Sequence, residues 1–254
     1  MKITGDKPGA MAKLAWPCRQ LRTCPRERGH GTERGHGTVL ETLLSVLAAG
    51  LLAAAILAVF LYAPTERTMH HAQRILYAHV SVAWLGLLGF VVMAASGLLY
   101  LLRRDLSYDQ WSQAAAELGW LCCGLTLVTG SLWARAAWLA WWTWDPRLTS
   151  SFVLWLIYSG YLVARANVED PERRARISAV LAICGLLDVP LVVSAAHWFR
   201  GMHPAAPEME PPMRTVLLLS VIGLSAFFVL LFLRRRGQLR LESRIAALEQ
   251  RLNV

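Results

Sequence analysis

The sequence predicts an all-α integral membrane protein, a bundle of six transmembrane helices with both termini in the cytoplasm. Of its 254 residues, 56% are hydrophobic and only 17% are charged, which is more apolar surface than a soluble domain carries. The apolar residues lie in long runs, and a run of about 18 or more predicts a helix that crosses a bilayer. The uneven distribution of lysine and arginine between these runs predicts the orientation.

Six apolar runs predict the helices in chain order. They cover residues 39–62, 78–102, 116–133, 149–164, 177–198 and 215–233. Most approach the roughly 20 residues that cross about 30 Å of hydrocarbon. The fourth run is the shortest. Asp188 and Pro190 fall inside the fifth. A carboxylate at that depth is functional, satisfies backbone groups that a kink at the proline frees, or hydrogen-bonds a neighbouring helix.

Two polar segments flank the predicted domain of residues 39–233. Residues 1–38 are basic and contain two adjacent copies of ERGHGT, which predicts a disordered cytoplasmic extension. Residues 234–254 form a cytoplasmic tail. Its apolar residues are spaced like one face of a helix: Leu241, Ile245, Leu248 and Leu252. This amphipathic tail either lies on the membrane surface or packs on a partner.

The net charge of +9 is explained by where the basic residues lie. Residues 1–38, the second and fourth loops, and the tail after Leu233 hold 20 of the 26 lysines and arginines. The positive-inside rule places these segments in the cytoplasm and the other three loops outside, so the charge does not indicate a nucleic-acid partner. The five cysteines form no CxxC or CxxCH pattern, which excludes a redox motif or a covalent haem site in the chain itself.

The segment 130–150, GSLWARAAWLAWWTWDPRLTS, is unusually rich in tryptophan and is predicted to face the outside. It contains five of the 11 tryptophans: Trp133, Trp138, Trp141, Trp142 and Trp144. Tryptophan often anchors a protein at the membrane interface, but five in twelve residues exceed what anchoring requires. A helix over 135–143 would project Trp138, Trp141 and Trp142 from one face. Such an aromatic shelf suits a flat apolar ligand.

Two charged residues close this segment. Arg147 is suited to pair with a ligand carboxylate, and Asp145 adds polarity beside it. Alternatively, the two side chains pair with each other or cap the next helix at Thr149 or Ser150.

Five of the seven histidines are predicted to lie near the same face as the tryptophans: His70, His71, His79, His197 and His203. Neutral imidazole is a common axial ligand of haem iron, and two of them complete its coordination. Spacing alone does not select which two, and each single histidine is also compatible with an ordinary hydrogen-bonded role.

Three motifs in this order carry a family resemblance. They are RILYAHVSVAW at 74–84, WWTWDPRLTS in the tryptophan-rich segment, and DVPLVVSAAHWFRGMHP at 188–204. Over roughly residues 40–233 the chain resembles the haem exporter protein C (CcmC) family of cytochrome c maturation, one of the tryptophan-rich WWD haem-handling proteins.

The resemblance implies a function and a set of partners. Non-covalent b-type haem would sit at the periplasmic face of the inner membrane against the tryptophan-rich segment. His79 and His203 would be its axial ligands, with His197 as an alternative to His203. The chain would present haem to a periplasmic haem chaperone, assisted by the two subunits of an ATP-binding-cassette (ABC) transporter and by a small one-helix protein. It would be a transport component without catalytic residues.

Two other functions are compatible with parts of the sequence. One is a scaffold subunit of a haem-related ABC transporter complex. The other is an electron-transferring b-type cytochrome, which needs paired histidines within the hydrocarbon. The first, third, fourth and sixth predicted helices contain no histidine, which disfavours the cytochrome.

Overall fold

The computed structural model describes residues 30–67, 69–198 and 209–252. All the regular secondary structure assigned to these residues is helical. The α-helices there are α1 (His30–Leu57), α2 (Arg74–Arg103), α3 (Leu106–Trp138), α4 (Pro146–Ala166), α5 (Pro171–Gly185), α6 (Asp188–Trp198) and α7 (Pro211–Leu252). A π-helical turn, Ala58–Tyr62, follows α1, and a 3-10 turn, His71–Gln73, leads into α2. The all-α prediction is confirmed for these residues. The chain divides into two units, Met1–Glu41 and Thr42–Val254, and the packing below is that of the second.

Five helical segments among the described residues are long and apolar enough to cross a membrane. They are Val39–Tyr62, His71–Arg103, Leu106–Trp138, Pro171–Ala195 and Pro211–Leu252. The chain is therefore a multi-pass membrane protein. Helix α4 corresponds to the predicted fourth span, but arginine, serine, threonine and tyrosine residues reduce its apolar content.

Aspartate residues cap the starts of α3, α4 and α5. The carboxylate of Asp105 accepts a hydrogen bond from the backbone N–H of Ser107 (2.8 Å), and that of Asp170 accepts one from Arg173 (2.6 Å). Such caps satisfy backbone donors that have no partner within the helix. Asp145 and Asp170 are each followed by proline at the first helical position, where the missing N–H costs nothing.

The predicted fifth span, residues 177–198, corresponds to the apolar segment Pro171–Ala195 but consists of two helices. Helix α5 ends at Gly185 and α6 begins at Asp188. Pro190 explains the break, because its ring collides with the carbonyl four residues earlier, at Leu186. Asp188 therefore opens a new helix instead of lying in the middle of one. One of its carboxylate oxygens, Oδ2, is buried without a hydrogen-bond partner among the described residues.

Helices α2 and α3 pack closely in antiparallel directions through small residues. A Cβ atom added to Gly86 would lie 3.3 Å from the backbone nitrogen of Cys123, and one added to Gly89 would lie 3.0 Å from the Cα of Gly119. Small residues allow this approach within a membrane. The hydroxyl of Tyr158, on α4, donates to the carbonyl of Gly86 (2.8 Å). The contact between α2 and α3 thus also positions α4.

A buried ion pair joins α3 and α4 at the end of the bundle opposite the tryptophan-rich segment. The guanidinium of Arg165 donates to both carboxylate oxygens of Asp109 (2.6 and 2.9 Å) and to the amide oxygen of Gln113 (2.7 Å). The two charged side chains are only 6% and 9% exposed. A charge that is buried to this extent is unfavourable without a partner. The pair therefore fixes the two helices against each other.

Helix α7 is 42 residues long and includes the predicted tail. Near its start, Val216 is buried in a cluster with Tyr77 and Trp133. Further along, the guanidinium of Arg235 donates to the carboxylate of Glu117 on α3 (2.5 and 3.1 Å). The four apolar tail residues identified from the sequence are exposed: Leu241, Ile245, Leu248 and Leu252.

Replacing Asp109 by asparagine is expected to destabilise the protein by about 3 kcal/mol, because Arg165 would remain buried without its countercharge. Thermal unfolding of the detergent-purified protein, followed by tryptophan fluorescence, measures the change. The matched control is Glu242→Gln, whose carboxylate lies 3.2 Å from Arg235 but is 62% exposed. Exposed pairs contribute less than about 1 kcal/mol. Equal stability of the two variants would contradict the role assigned to the buried pair.

Candidate functional site

Residues 139–145, here called the tryptophan linker, join α3 to α4 without helical structure. Helix α3 ends at Trp138, where Leu139 adopts a left-handed conformation with φ of 61°. The backbone N–H of Leu139 donates to the carbonyl of Arg135 (3.2 Å), and the Arg135 guanidinium donates back to the Leu139 carbonyl (2.7 Å). The expected helix over 135–143 is therefore wrong. Trp138, Trp141 and Trp142 do not share a helix face.

His79 lies on α2, buried beside the end of α3. Its Nδ1 lies 3.0 Å from the hydroxyl oxygen of Thr129. The imidazole is stacked on Trp133 with 6.5 Å between ring centroids, and Trp133 lies 5.3 Å from Trp138. A Cβ atom added to Gly130 would lie 2.9 Å from Cε1 of the imidazole. Gly130 therefore leaves the space that the His79 ring occupies.

A cavity of about 90 Å³ lies beside this histidine and is called the histidine pocket. His79, Trp133, Trp138 and Arg147 are among the residues that line it, together with Leu127. The pocket thus brings an imidazole, two indoles and a guanidinium together. Its volume is well below the roughly 300–1,000 Å³ of typical small-molecule sites, so a large ligand requires the pocket to open.

The other three tryptophans of the segment line a separate, open groove of about 540 Å³, here called the tryptophan groove. Trp141, Trp142 and Trp144 contribute to it, together with Phe152 of α4 and Leu127 of α3. Leu127 also lines the histidine pocket. The five tryptophans predicted to bind a ligand are therefore divided between two neighbouring concavities instead of forming one shelf.

Asp145 caps α4. Its carboxylate accepts hydrogen bonds from the backbone N–H of Leu148 (2.9 Å) and from the hydroxyl of Thr143 (3.1 Å). Capping of the next helix is one of the alternatives that the sequence leaves open for Asp145 and Arg147, and Asp145 is the residue that caps it, although the helix begins at Pro146 and not at Thr149 or Ser150. By fixing the first turn of α4, the cap also fixes Arg147, which lies two residues later at the histidine pocket.

The structure places His79 at the pocket but leaves the predicted second ligand open. His203 and the side chain of His197 lie outside the described residues. His71 is exposed on the 3-10 turn and lines a different groove, and His70 is exposed before it. No group of three His, Cys, Asp or Glu side chains in the described part of the chain is arranged to hold a metal ion.

Thr129 and Gly130 are missed by the sequence reasoning. Both act on His79: one through a hydrogen bond to the ring, the other through the absence of a side chain. Spacing along the sequence locates this site only once the contact between Gly86 and Cys123 is known. His79 precedes Gly86 by seven residues and Gly130 follows Cys123 by seven, so antiparallel packing at the Gly86–Cys123 contact brings His79 opposite Gly130.

Comparison with known proteins identifies one family over most of the chain. Residues 34–251 match the family model described as heme exporter protein C (CcmC). The heme exporter protein C of Rhodobacter capsulatus is 34% identical over 201 residues, which cover 76% of this chain and 83% of that protein. The protein of the same name from Escherichia coli K12 is 29% identical over 182 residues, covering 69% and 74% of the two chains.

A plant relative has a name that refers to a biosynthetic process. The cytochrome c biosynthesis ccmC-like mitochondrial protein of Marchantia polymorpha is 34% identical over 141 residues, which cover 56% of this chain and 59% of that protein.

Replacing Gly130 by alanine is expected to lower stability relative to Gly160→Ala. At Gly160, on α4, an added Cβ meets nothing within 4 Å, so alanine gains about 1 kcal/mol of helix propensity. At Gly130 the new methyl group displaces the imidazole of His79 and breaks its bond to Thr129, which costs about 1 kcal/mol and offsets that gain. Thermal unfolding of both purified variants measures the difference. A Gly130→Ala variant as stable as Gly160→Ala would contradict the close contact.

Proposed function

The chain belongs to the heme exporter protein C family, and we propose that it binds haem at the histidine pocket and delivers it for the assembly of c-type cytochromes. The names of its relatives support haem export and cytochrome c biosynthesis as the process. The observation that carries the proposal is the shared lining of one pocket by His79, Trp133, Trp138 and Arg147.

These four residues match the chemistry of haem. An imidazole is a common axial ligand of the iron. Indole rings provide flat apolar surface for the macrocycle, and a guanidinium pairs with a carboxylate such as a propionate. The hydroxyl of Thr129, 3.0 Å from Nδ1 of His79, sets the orientation of the ring, as hydrogen-bond partners of metal ligands generally do.

Haem binding requires the pocket to open, because its present volume is about 90 Å³. The tryptophan linker is the element suited to move. It has no helical structure, and hydrogen bonds from the side chains of Ser131 and Arg135 to the carbonyls of Trp141 and Leu139 tie it to α3. These bonds can break without unfolding a helix. The linker connects Trp138, at the end of α3, to the first turn of α4, which carries Arg147, so its displacement would change the separation of these two pocket residues.

The direction of delivery follows from charge. We assign the end of the bundle that carries the tryptophan linker to the periplasmic side of the inner membrane, because basic residues are concentrated in the segments at the other end. The resemblance of residues 188–204 to the family's second histidine motif supports His203 as the second axial ligand, with His197 as the alternative. The recipient of the haem is a periplasmic haem chaperone. The two ABC transporter subunits and the small one-helix protein complete the assembly.

We assign this chain the role of a haem carrier and not that of an enzyme. The family name describes export, and the residues at the pocket bind and orient a ligand. An electron-transferring b-type cytochrome would need paired histidines deep in the bilayer, and the first, third, fourth and sixth predicted helices contain no histidine. A scaffold without haem is the remaining alternative, and the spectrum of the purified protein distinguishes it.

Replacing His79 by alanine is expected to remove most of the haem that copurifies with the protein, because the iron loses an axial ligand from inside the pocket. The visible spectrum of protein purified with its partners measures this as loss or displacement of the Soret band. His71→Ala is the matched control, since that histidine is exposed on a different groove. His203→Ala is expected to behave like His79→Ala.

Two other outcomes distinguish a wrong ligand assignment from a protein that does not bind haem. Haem retained unchanged in His79→Ala would overturn the ligand assignment while leaving haem binding intact. A parent protein that never contains haem, even when purified with its partners, would favour the scaffold.

Replacing Trp133 and Trp138 together by leucine is expected to weaken haem binding about tenfold, because two stacking surfaces at the pocket are lost. Titration with haemin, followed at the Soret band, gives the affinity. The control pair is Trp141→Leu with Trp144→Leu, two tryptophans of the same segment that are exposed and line only the groove. If the control pair lost as much affinity as the first, the division of the segment into two sites would be wrong.

A further inference from the structure

The tryptophan groove continues from the linker along α3 and α4 as a row of aromatic rings. Trp142 lies 6.3 Å from Phe152, Phe152 lies 6.2 Å from Trp155, and Trp155 lies 5.8 Å from Trp120, measured between ring centroids. The last two pairs are stacked, with interplanar angles of 20° and 24°. We call these four residues the aromatic row.

The row reaches a depth at which membrane anchoring does not explain it. Trp120 donates its indole N–H to the hydroxyl of Ser159 (2.8 Å). Helix α4 begins at Pro146, so with a rise of about 1.5 Å per residue Ser159 lies roughly 20 Å along it, within hydrocarbon. Interfacial tryptophans gather at the membrane surface, whereas this indole needs a bonded partner at its depth.

Packing between α3 and α4 also does not account for the whole row. Trp155 does pack over Gly124, where an added Cβ would lie 3.2 Å from its Nε1. Yet all four side chains are only partly buried, and their neighbours Leu121 and Val128 on α3 are exposed. The rings therefore present a continuous apolar and aromatic surface to the bilayer.

The upper end of this surface is chemically different. The guanidinium of Arg135 lies 5.9 Å above the ring of Trp141, a residue that lines the groove. An aromatic track with a cation at its outer end fits a flat apolar molecule with carboxylates at one edge.

We propose that the aromatic row and the tryptophan groove form a lateral loading route, along which haem dissolved in the bilayer reaches the histidine pocket between α3 and α4. The inference rests on the proposed function. Continuity supports it, because Leu127 lines both the groove and the pocket. The macrocycle stacks on one ring of the row after another, and its carboxylates reach Arg135 at the outer end of the route. The aromatic row therefore determines how fast haem is loaded, whereas the histidine pocket determines how tightly the protein binds it.

The test measures loading rate and final occupancy separately. The full chain is reconstituted in vesicles of phosphatidylcholine and phosphatidylglycerol, haemin is injected and partitions into the lipid, and the Soret band is followed by stopped flow. Phe152→Leu combined with Trp155→Leu is expected to slow loading about tenfold, since two stacking surfaces are lost, with unchanged final amplitude. Trp155→Leu alone is the milder variant and is expected to slow loading less.

Two controls accompany these variants. Trp155→Phe keeps an aromatic ring and is expected to load within about twofold of the parent, since stacking is retained. Trp84→Leu removes a tryptophan from α2 that is 49% exposed and lines neither concavity, and it is expected to leave the rate unchanged.

Three results would overturn the lateral route. Loading of both leucine variants at the parental rate would show that haem enters elsewhere. Loss of amplitude and thermal stability together with the rate would reduce the row to a packing element. Equal slowing in Trp84→Leu would show an effect of tryptophan content alone. A parent that binds no haem would instead refute the proposed function, which separates the two failures.

Discussion

The close approach of α2 and α3 is the constraint on which the candidate site depends. Where Gly86 meets Cys123, no side chain of Gly86 separates the two helices, and the antiparallel register set there is carried seven residues further to His79 and Gly130. A side chain at Gly86 would meet the backbone of Cys123 and push the two helices apart at this contact. The small residues in the middle of the membrane therefore determine where the imidazole lies at the end of the bundle.

The left-handed residue Leu139 explains why one tryptophan-rich motif serves two concavities. The helix that presents Trp133 and Trp138 to His79 ends there, and the chain turns so that the following tryptophans face a different surface. Left-handed conformations are uncommon for residues other than glycine and asparagine. At this position the reciprocal hydrogen bonds between Leu139 and Arg135 compensate part of the strain.

The sequence predicted the helices well and the site only in part, for physical reasons. Long apolar runs identify helices in a membrane because backbone groups there must be bonded within the helix. The break before Pro190 and the start of α4 at Pro146 both follow from the chemistry of proline, although the predicted bounds missed them. The end of α3 at Trp138 carries no such local signal. The role of Gly130 depends on its contact with His79, on another helix, which periodicity within a helix does not reveal.

The length of α7 places two distant parts of the protein on one helix. One continuous helix joins Val216, packed against Tyr77 and Trp133, to Arg235 and to the exposed apolar stripe beyond it. Unlike a series of shorter helices, α7 contains no loop between these two regions. With a rise of about 1.5 Å per residue, its last turn lies roughly 50 Å from Val216. Because the helix is unbroken, a shift of its last turn along the helix axis would also move Val216, which lies in the same buried cluster as Trp133.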